Sequence, residues 1–242
     1  MTQMSVTDHL RELRSRLITS VLALLASWAV AFYFADQIRK GLGGGMGRGG
    51  RLVDVSLVFL SPEEALWADL KVSLFVGFLV ALPIILYHVW RFISPGLLPD
   101  ERSVYLPFLF LAVLFFFIGA GFAYAVAIPF AIHFLVDYGR QRGVVPQLSI
   151  TLYVDFYIKL LMAFGLVFQL PVAMMLFSRT GLLTPAFLAH NRKYAILAAF
   201  FIAAVLTPTP DIFNQCLMAI PLILLYEAGI LAIRLFGKKP TF

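Results

Sequence analysis

An all-α protein built to span a membrane is what this sequence predicts, and three observations carry the prediction. Of the 242 residues, 61% are hydrophobic and only 13% are charged, and the mean hydropathy is +0.91. A soluble domain of this length would need a charged surface that these residues cannot supply. The apolar residues are gathered into runs that approach or exceed the roughly 20 residues a transmembrane helix requires. The polar residues lie mostly between those runs, among Pro, Gly and Asp that favour turns.

Six runs stand out in chain order: Leu17 to Ala35, Leu70 to Phe92, Tyr105 to Val136, Leu152 to Phe177, Tyr194 to Leu206, and Ile212 to Ile233. Ahead of the first lies a segment, 5–16, in which Leu10 and Leu13 continue to Leu17 at helical spacing. Arg11, Glu12, Arg14 and Arg16 stand between them. It is expected to lie along the inner membrane surface and lead into the first span. Glu12, taken alone, is an ion-pair partner on a helix surface.

The loop 36–69 is the longest connection and contains the glycine-rich stretch 41–50, expected to be a flexible linker. No Lys-Ser or Lys-Thr follows the glycines, so the stretch does not make a phosphate loop. Its second half, "SPEEALWADL", predicts a short helix with Ser61 as N-cap, Pro62 at the first helical position and Glu63 and Glu64 in the first turn. The third run has about 32 residues, which is ~48 Å of helix at 1.5 Å per residue. It should tilt, kink at Pro129 or protrude. The fifth run is followed within two residues by Pro208 and should be too short to cross ~30 Å of hydrocarbon. "TPTPD" joins it to the sixth in a tight hairpin.

Six spans place both termini on one side. Eleven Lys and Arg fall on that side and eight on the other, several of these in the long loop where the bias is weakest. Both termini are therefore expected in the cytoplasm, and the loop 93–104, "ISPGLLPDERSV", with them. The net charge of +6 reflects this topology, since no cluster of Lys and Arg marks a nucleic-acid surface. Cys216 excludes an internal disulfide framework, and no His or carboxylate cluster has metal-ligand spacing. The whole chain, 1–242, is expected to be one polytopic membrane domain.

Polar groups inside the runs are the expensive ones. Gln169, in "AFGLVFQLPV", must find partners for its amide, in another helix or in a ligand, and the residues leave both open. Glu227 is near the inner end of the sixth run and is expected to be interfacial or paired with a basic residue. The second and fourth runs each carry Lys, Gly and Pro spaced by six: Lys71, Gly77, Pro83 and Lys159, Gly165, Pro171. A remnant repeat and two independent mid-span kinks fit this equally well.

In the loop 93–104, Pro95 and Pro99 stiffen a turn that holds Asp100 and Glu101. A carboxylate held beside lipid is a good receptor for guanidinium. Glu12 and Glu101 together suit a ligand with two arginines followed by an apolar stretch, the pattern of a twin-arginine signal peptide.

Four segments then carry a resemblance: "HLRELRSRL" (9–17), "PIILYHVWRFISPGLLPDER" (83–102), "AFGLVFQLPV" (163–172) and "LTPTPDIFNQCLMAIPLILLYE" (206–227). In this order they resemble TatC, the multispanning receptor family of the twin-arginine protein translocase. The resemblance implies a concave bundle of six transmembrane helices, the fifth and sixth short, with both termini cytoplasmic, in the bacterial inner membrane. It implies a non-enzymatic receptor without metal or cofactor that binds signal peptides of folded precursors. Glu101 would be the principal arginine partner and Glu12 the second, with Asp100, Phe92 and Pro95 shaping the site. Gln169 would be the polar position on the concave face, where relatives also carry Glu. Small single-span proteins of the TatA and TatB class would be partners, and the proton-motive force would drive transport. A secondary transporter or ion channel is the alternative, but it would want facing midplane charges in inverted repeats. An intramembrane enzyme would need Ser with His, paired aspartates or a His-Glu-x-x-His pattern deep in the spans, and none is present.

Overall fold

A computed structural model describes residues 6–38, 56–58, 60–93, 105–145, 147–179, 181, 183–206 and 212–236. The described residues are helical almost throughout: α1 (Val6–Tyr33), α2 (Glu64–Ile93), α3 (Tyr105–Phe122), α4 (Ile128–Arg140), α5 (Ile150–Val167), α6 (Leu170–Arg179), α7 (Pro185–His190), α8 (Arg192–Leu206) and α9 (Ile212–Phe236). Five stretches among the described residues are long and apolar enough to cross a membrane: Leu10–Tyr33, Glu64–Phe92, Pro107–Arg140, Ile150–Arg179 and Gln215–Leu235. The expected short fifth run is α8, 15 residues or ~22 Å long. The sixth is not short: α9 has 25 residues.

Proline explains where the long helices change. Its missing N–H leaves the carbonyl four residues back without a helical donor, and its ring crowds that carbonyl. Before Pro129 the third run widens into a π turn over Ala123–Ala127, whose closing bond runs from the Ile128 N–H to the Ala123 carbonyl. Before Pro171 the fourth run breaks between α5 and α6. There the Gln169 N–H reaches back only three residues, to the Leu166 carbonyl at 3.0 Å.

Contacts divide the chain into two compact units, Met1–Val113 with Leu135–Ile158, and Leu114–Phe134 with Lys159–Phe242. In the first, α1 and α2 pack closely because Gly77 has no side chain. A Cβ there would lie 2.7 Å from the backbone N and Cα of Trp28. Trp28 Nε1 donates across the same contact to the fully buried Ser73 Oγ at 3.3 Å. In the second unit, Gly119 lets α3 approach α5, since a Cβ would meet the Phe164 carbonyl oxygen at 2.5 Å. Phe122 fills the space beside it against Phe164 and Phe168, with ring centroids 5.4 and 5.8 Å apart. Membrane helices gain little from the hydrophobic effect between them and rely on this close fit.

The reading of loop 36–69 needs correction at two points. A short strand, β1 (Ser56–Val58), pairs in parallel with β2 (Gln147–Ser149), matching Ser56 to Gln147 and Val58 to Ser149. The short helix expected to start at Ser61 is instead α2 itself, which begins at Glu64 after a turn at 61–63 and runs on into the span. The glycine-rich stretch 41–50 lies outside the described residues.

The glycine contacts generate an ordered prediction. Gly77→Ala and Gly119→Ala force a methyl into backbone and should each cost ~1–3 kcal/mol. Gly229→Ala meets the flexible Met174 thioether at 2.6 Å and should cost clearly less. Thermal midpoints of the purified variants in detergent check the order.

Candidate functional site

The N-terminal segment and the first span form one uninterrupted helix, α1, with no break between them. Leu10, Leu13 and Leu17 are exposed, so the apolar stripe faces outward. Arg11 and Arg14 are exposed as well, while Glu12 and Arg16 are drawn partly inward. Arg16 Nη2 donates to Glu12 Oε1 one turn away. The expected ion-pair partner of Glu12 is therefore within its own helix. Arg16 is 13% and Glu12 24% exposed at the side chain.

The level of this pair follows from the α1–α2 contact. Successive spans cross the bilayer in opposite senses, and both helices rise ~1.5 Å per residue. Arg16 lies about twelve residues back from Trp28, and about twelve residues on from Ser73 and Gly77 are Ile85 and Val89. Arg16 is thus level with His88. Glu12, one turn further out, is level with the last residues of α2, among them Phe92. There the chain leaves α2 for the loop 93–104.

The helices on either side of that loop meet. Trp90, near the end of α2, packs on Phe108, near the start of α3, with ring centroids 5.5 Å apart and both rings buried. Arg91 Nη1 donates to Tyr87 Oη at 2.9 Å, holding the exposed end of α2. Phe92 is half-buried. Pro95, Asp100 and Glu101 lie outside the described residues. Of the predicted binding residues, the structure therefore brings Glu12 and Phe92 to one level at this end of the α1–α2 pair.

Gln169 belongs to the second unit and stands in the break between α5 and α6, half-buried. Its own carbonyl accepts the first bond of α6, from the Ala173 N–H at 2.8 Å. Pro171 is what creates this non-helical position. In the same unit Glu227 pairs with Arg192, its Oε1 2.7 Å from Arg192 Nε and its Oε2 2.8 Å from Arg192 Nη2, as expected for a basic partner. Tyr226 Oη donates to the Leu188 carbonyl at 2.9 Å, and Gln215 Nε2 to the Phe200 carbonyl at 3.1 Å. These contacts tie α9 to α7 and α8. No group of three His, Cys, Asp or Glu able to hold a metal occurs among the described residues.

Sequence reasoning missed the polar seam at the opposite end of the first unit. Lys71 Nζ lies 2.7 Å from both carboxylate oxygens of Asp155. Glu64 accepts from Ser149 Oγ, 3.1 Å from each oxygen, and from the Leu60 N–H at 3.3 Å. Thr151 Oγ1 donates to the Glu64 carbonyl at 3.2 Å. Of these residues the sequence had marked only Lys71, in the pattern shared with the fourth run, and Glu64, in the first turn of a short helix. The signal that could have found the pairing is weak: two opposite charges one to two turns inside separate spans, on the same side of the predicted topology.

Helical spans, a proline-broken fourth run with an amide at its break, and paired charges at the span ends define a polytopic α-helical membrane protein. Comparison makes the class specific. Residues 8–221 match the family described as Sec-independent protein translocase protein (TatC). The TatC of Aquifex aeolicus (strain VF5) is 43% identical over 237 residues, covering 98% of this chain and 97% of that one. The TatC of Desulforapulum autotrophicum is 38% identical, covering 96% and 85%. A crystal structure of the twin arginine translocase receptor TatC, in DDM, superposes with a TM-score of 0.80 at 42% identity, covering 96% of this chain and all of that one. The chain belongs to the TatC family.

The seam can be tested directly. Lys71 and Asp155 are 36% and 45% exposed, so solvent screens them and their coupling should be small, under ~1 kcal/mol. A double-mutant cycle with Lys71→Ala and Asp155→Ala, read by thermal midpoint in detergent, should give that small coupling. The exchanged pair Lys71→Asp with Asp155→Lys should recover most of any loss.

Proposed function

We propose that this translocase protein is the receptor for twin-arginine signal peptides, docking the arginine pair on Glu101 and Glu12 at the cytoplasmic face. The observation that carries the reading is the position of Glu12: a partly buried carboxylate level with the end of α2, from which the segment bearing Asp100 and Glu101 departs. Family membership over nearly the whole chain supports it. The chemistry is binding. Each guanidinium–carboxylate contact in a partly desolvated setting contributes ~1.5–3 kcal/mol. Asp100 adds negative potential, while Phe92 and the turn begun by Pro95 shape the rim. The peptide's apolar stretch then lies against the spans.

The remainder of the reading follows the family. The chain works as a single polytopic domain of the bacterial cytoplasmic membrane with both termini inside, in keeping with the Lys and Arg bias. It nucleates the translocase with small single-span partners of the TatA and TatB class, and the proton-motive force drives movement. Gln169 offers an amide in the break of the fourth run. As Gln it is neutral at every pH, so its part is hydrogen bonding to peptide or partner.

Two measurements test this. Glu101→Lys should insert normally yet lose photocrosslinking to a twin-arginine peptide, with affinity down at least tenfold. Unchanged crosslinking would remove Glu101 from the site. Gln169→Leu should lower transport into inverted membrane vesicles severalfold while leaving insertion intact, and wild-type transport would reduce Gln169 to a packing residue.

A further inference from the structure

The Glu12–Arg16 pair is only half made. Arg16 engages one carboxylate oxygen through one nitrogen, although a guanidinium and a carboxylate can meet through two parallel bonds. The unused atoms, Glu12 Oε2 and Arg16 Nη1, are both buried and have no hydrogen-bond partner among the described residues. His88 Nδ1, at the level of Arg16, is a third such atom. Buried polar atoms are normally satisfied, and leaving one unpaired is costly. Three of them lie towards one end of the α1–α2 pair and mark it as polar.

The group that holds Glu12 is the same chemical group that the cargo would bring. Arg11 and Arg14 on this helix are exposed, but Arg16 is turned in and bound to the carboxylate. We infer that Arg16 is a resident competitor of the cargo and a specificity-determining residue. It occupies Glu12 through one contact and cancels its charge towards stray cations. An incoming guanidinium that is already anchored through its neighbour can bind Glu12 through both oxygens and displace Arg16 towards the exposed side. A lysine ammonium is a point charge without the planar fork and gains less from the exchange. Arg16 thereby raises the threshold for docking so that an arginine doublet passes it and a lone or substituted cation does not.

This inference rests on Glu12 being a cargo partner, so the experiment separates the two. The full-length protein in lipid nanodiscs is titrated with two fluorescent synthetic peptides, identical except that one carries an arginine pair and the other a lysine pair before the apolar stretch. Arg16→Gln keeps helix propensity and removes the charge. It should tighten the arginine peptide about threefold to fivefold, the scale of one weak ion pair. It should tighten the lysine peptide more, so that discrimination narrows. Arg16→Lys keeps the competing charge and should stay within about twofold of wild type. Unchanged or weaker binding in Arg16→Gln, undiminished discrimination, or Arg16→Lys behaving as Arg16→Gln would overturn the inference. Glu12→Gln provides the separation. If it weakens the arginine peptide while Arg16→Gln brings no gain, only the competitor role fails. If Glu12→Gln changes nothing, the docking role of Glu12 and the competitor role fall together.

Discussion

A polar group that leaves water is costly unless another part of the chain satisfies it, and that constraint organises the rest. Backbone groups meet it by forming helices, because hydrocarbon offers no hydrogen bonds. Where proline removes a donor, the helix adapts locally: a π turn over Ala123–Ala127 ahead of Pro129, and an outright break ahead of Pro171. Charged side chains meet it by pairing. Lys71 with Asp155 and Arg192 with Glu227 are complete pairs with two short contacts each. Against these, the pair of Glu12 and Arg16 is conspicuous, since half of each group is buried and unused.

The two kinds of pair differ in what they join. The complete pairs lie between different helices. The incomplete pair lies within one helix, fastens nothing across a helix contact, and sits level with the departure of the loop that holds Asp100 and Glu101. A receptor for guanidinium has to keep a carboxylate poised beside low-dielectric surroundings without letting it collapse onto an arbitrary cation. In the proposed docking, Arg16 does both through its single contact to Glu12.

Much of this was legible in the sequence. Hydropathy located the spans, and length alone marked Arg192–Leu206 as too short to cross unaided. Pro171 beside Gln169 announced a polar break, and Glu227 announced a basic partner. What was not legible depended on contacts between distant segments. β1 is three residues in a loop and has no periodicity of its own. It exists because Gln147–Ser149 lies beside it. Lys71 and Asp155 are 84 residues apart, and nothing local says that their helices adjoin. Ser61 and Pro62 suggested a separate short helix, yet the helix that forms is α2, whose first turn is held by Glu64 contacts to Ser149 and Leu60. The inward turn of Arg16, against the outward leucines, reverses the expectation for an amphipathic helix on a soluble protein, because here lipid and not a protein core receives the apolar stripe.

The central claim is that guanidinium charge on the cargo is captured by carboxylates at the end of the α1–α2 pair. It is tested most directly by calorimetric titration of the wild-type protein in nanodiscs with an arginine-pair peptide and with the same peptide carrying citrulline at both positions. Citrulline keeps the shape and most hydrogen-bonding groups but removes the charge. The account predicts that affinity falls by at least about a hundredfold, the loss of two charge-assisted contacts. Equal affinity for the two peptides would contradict it.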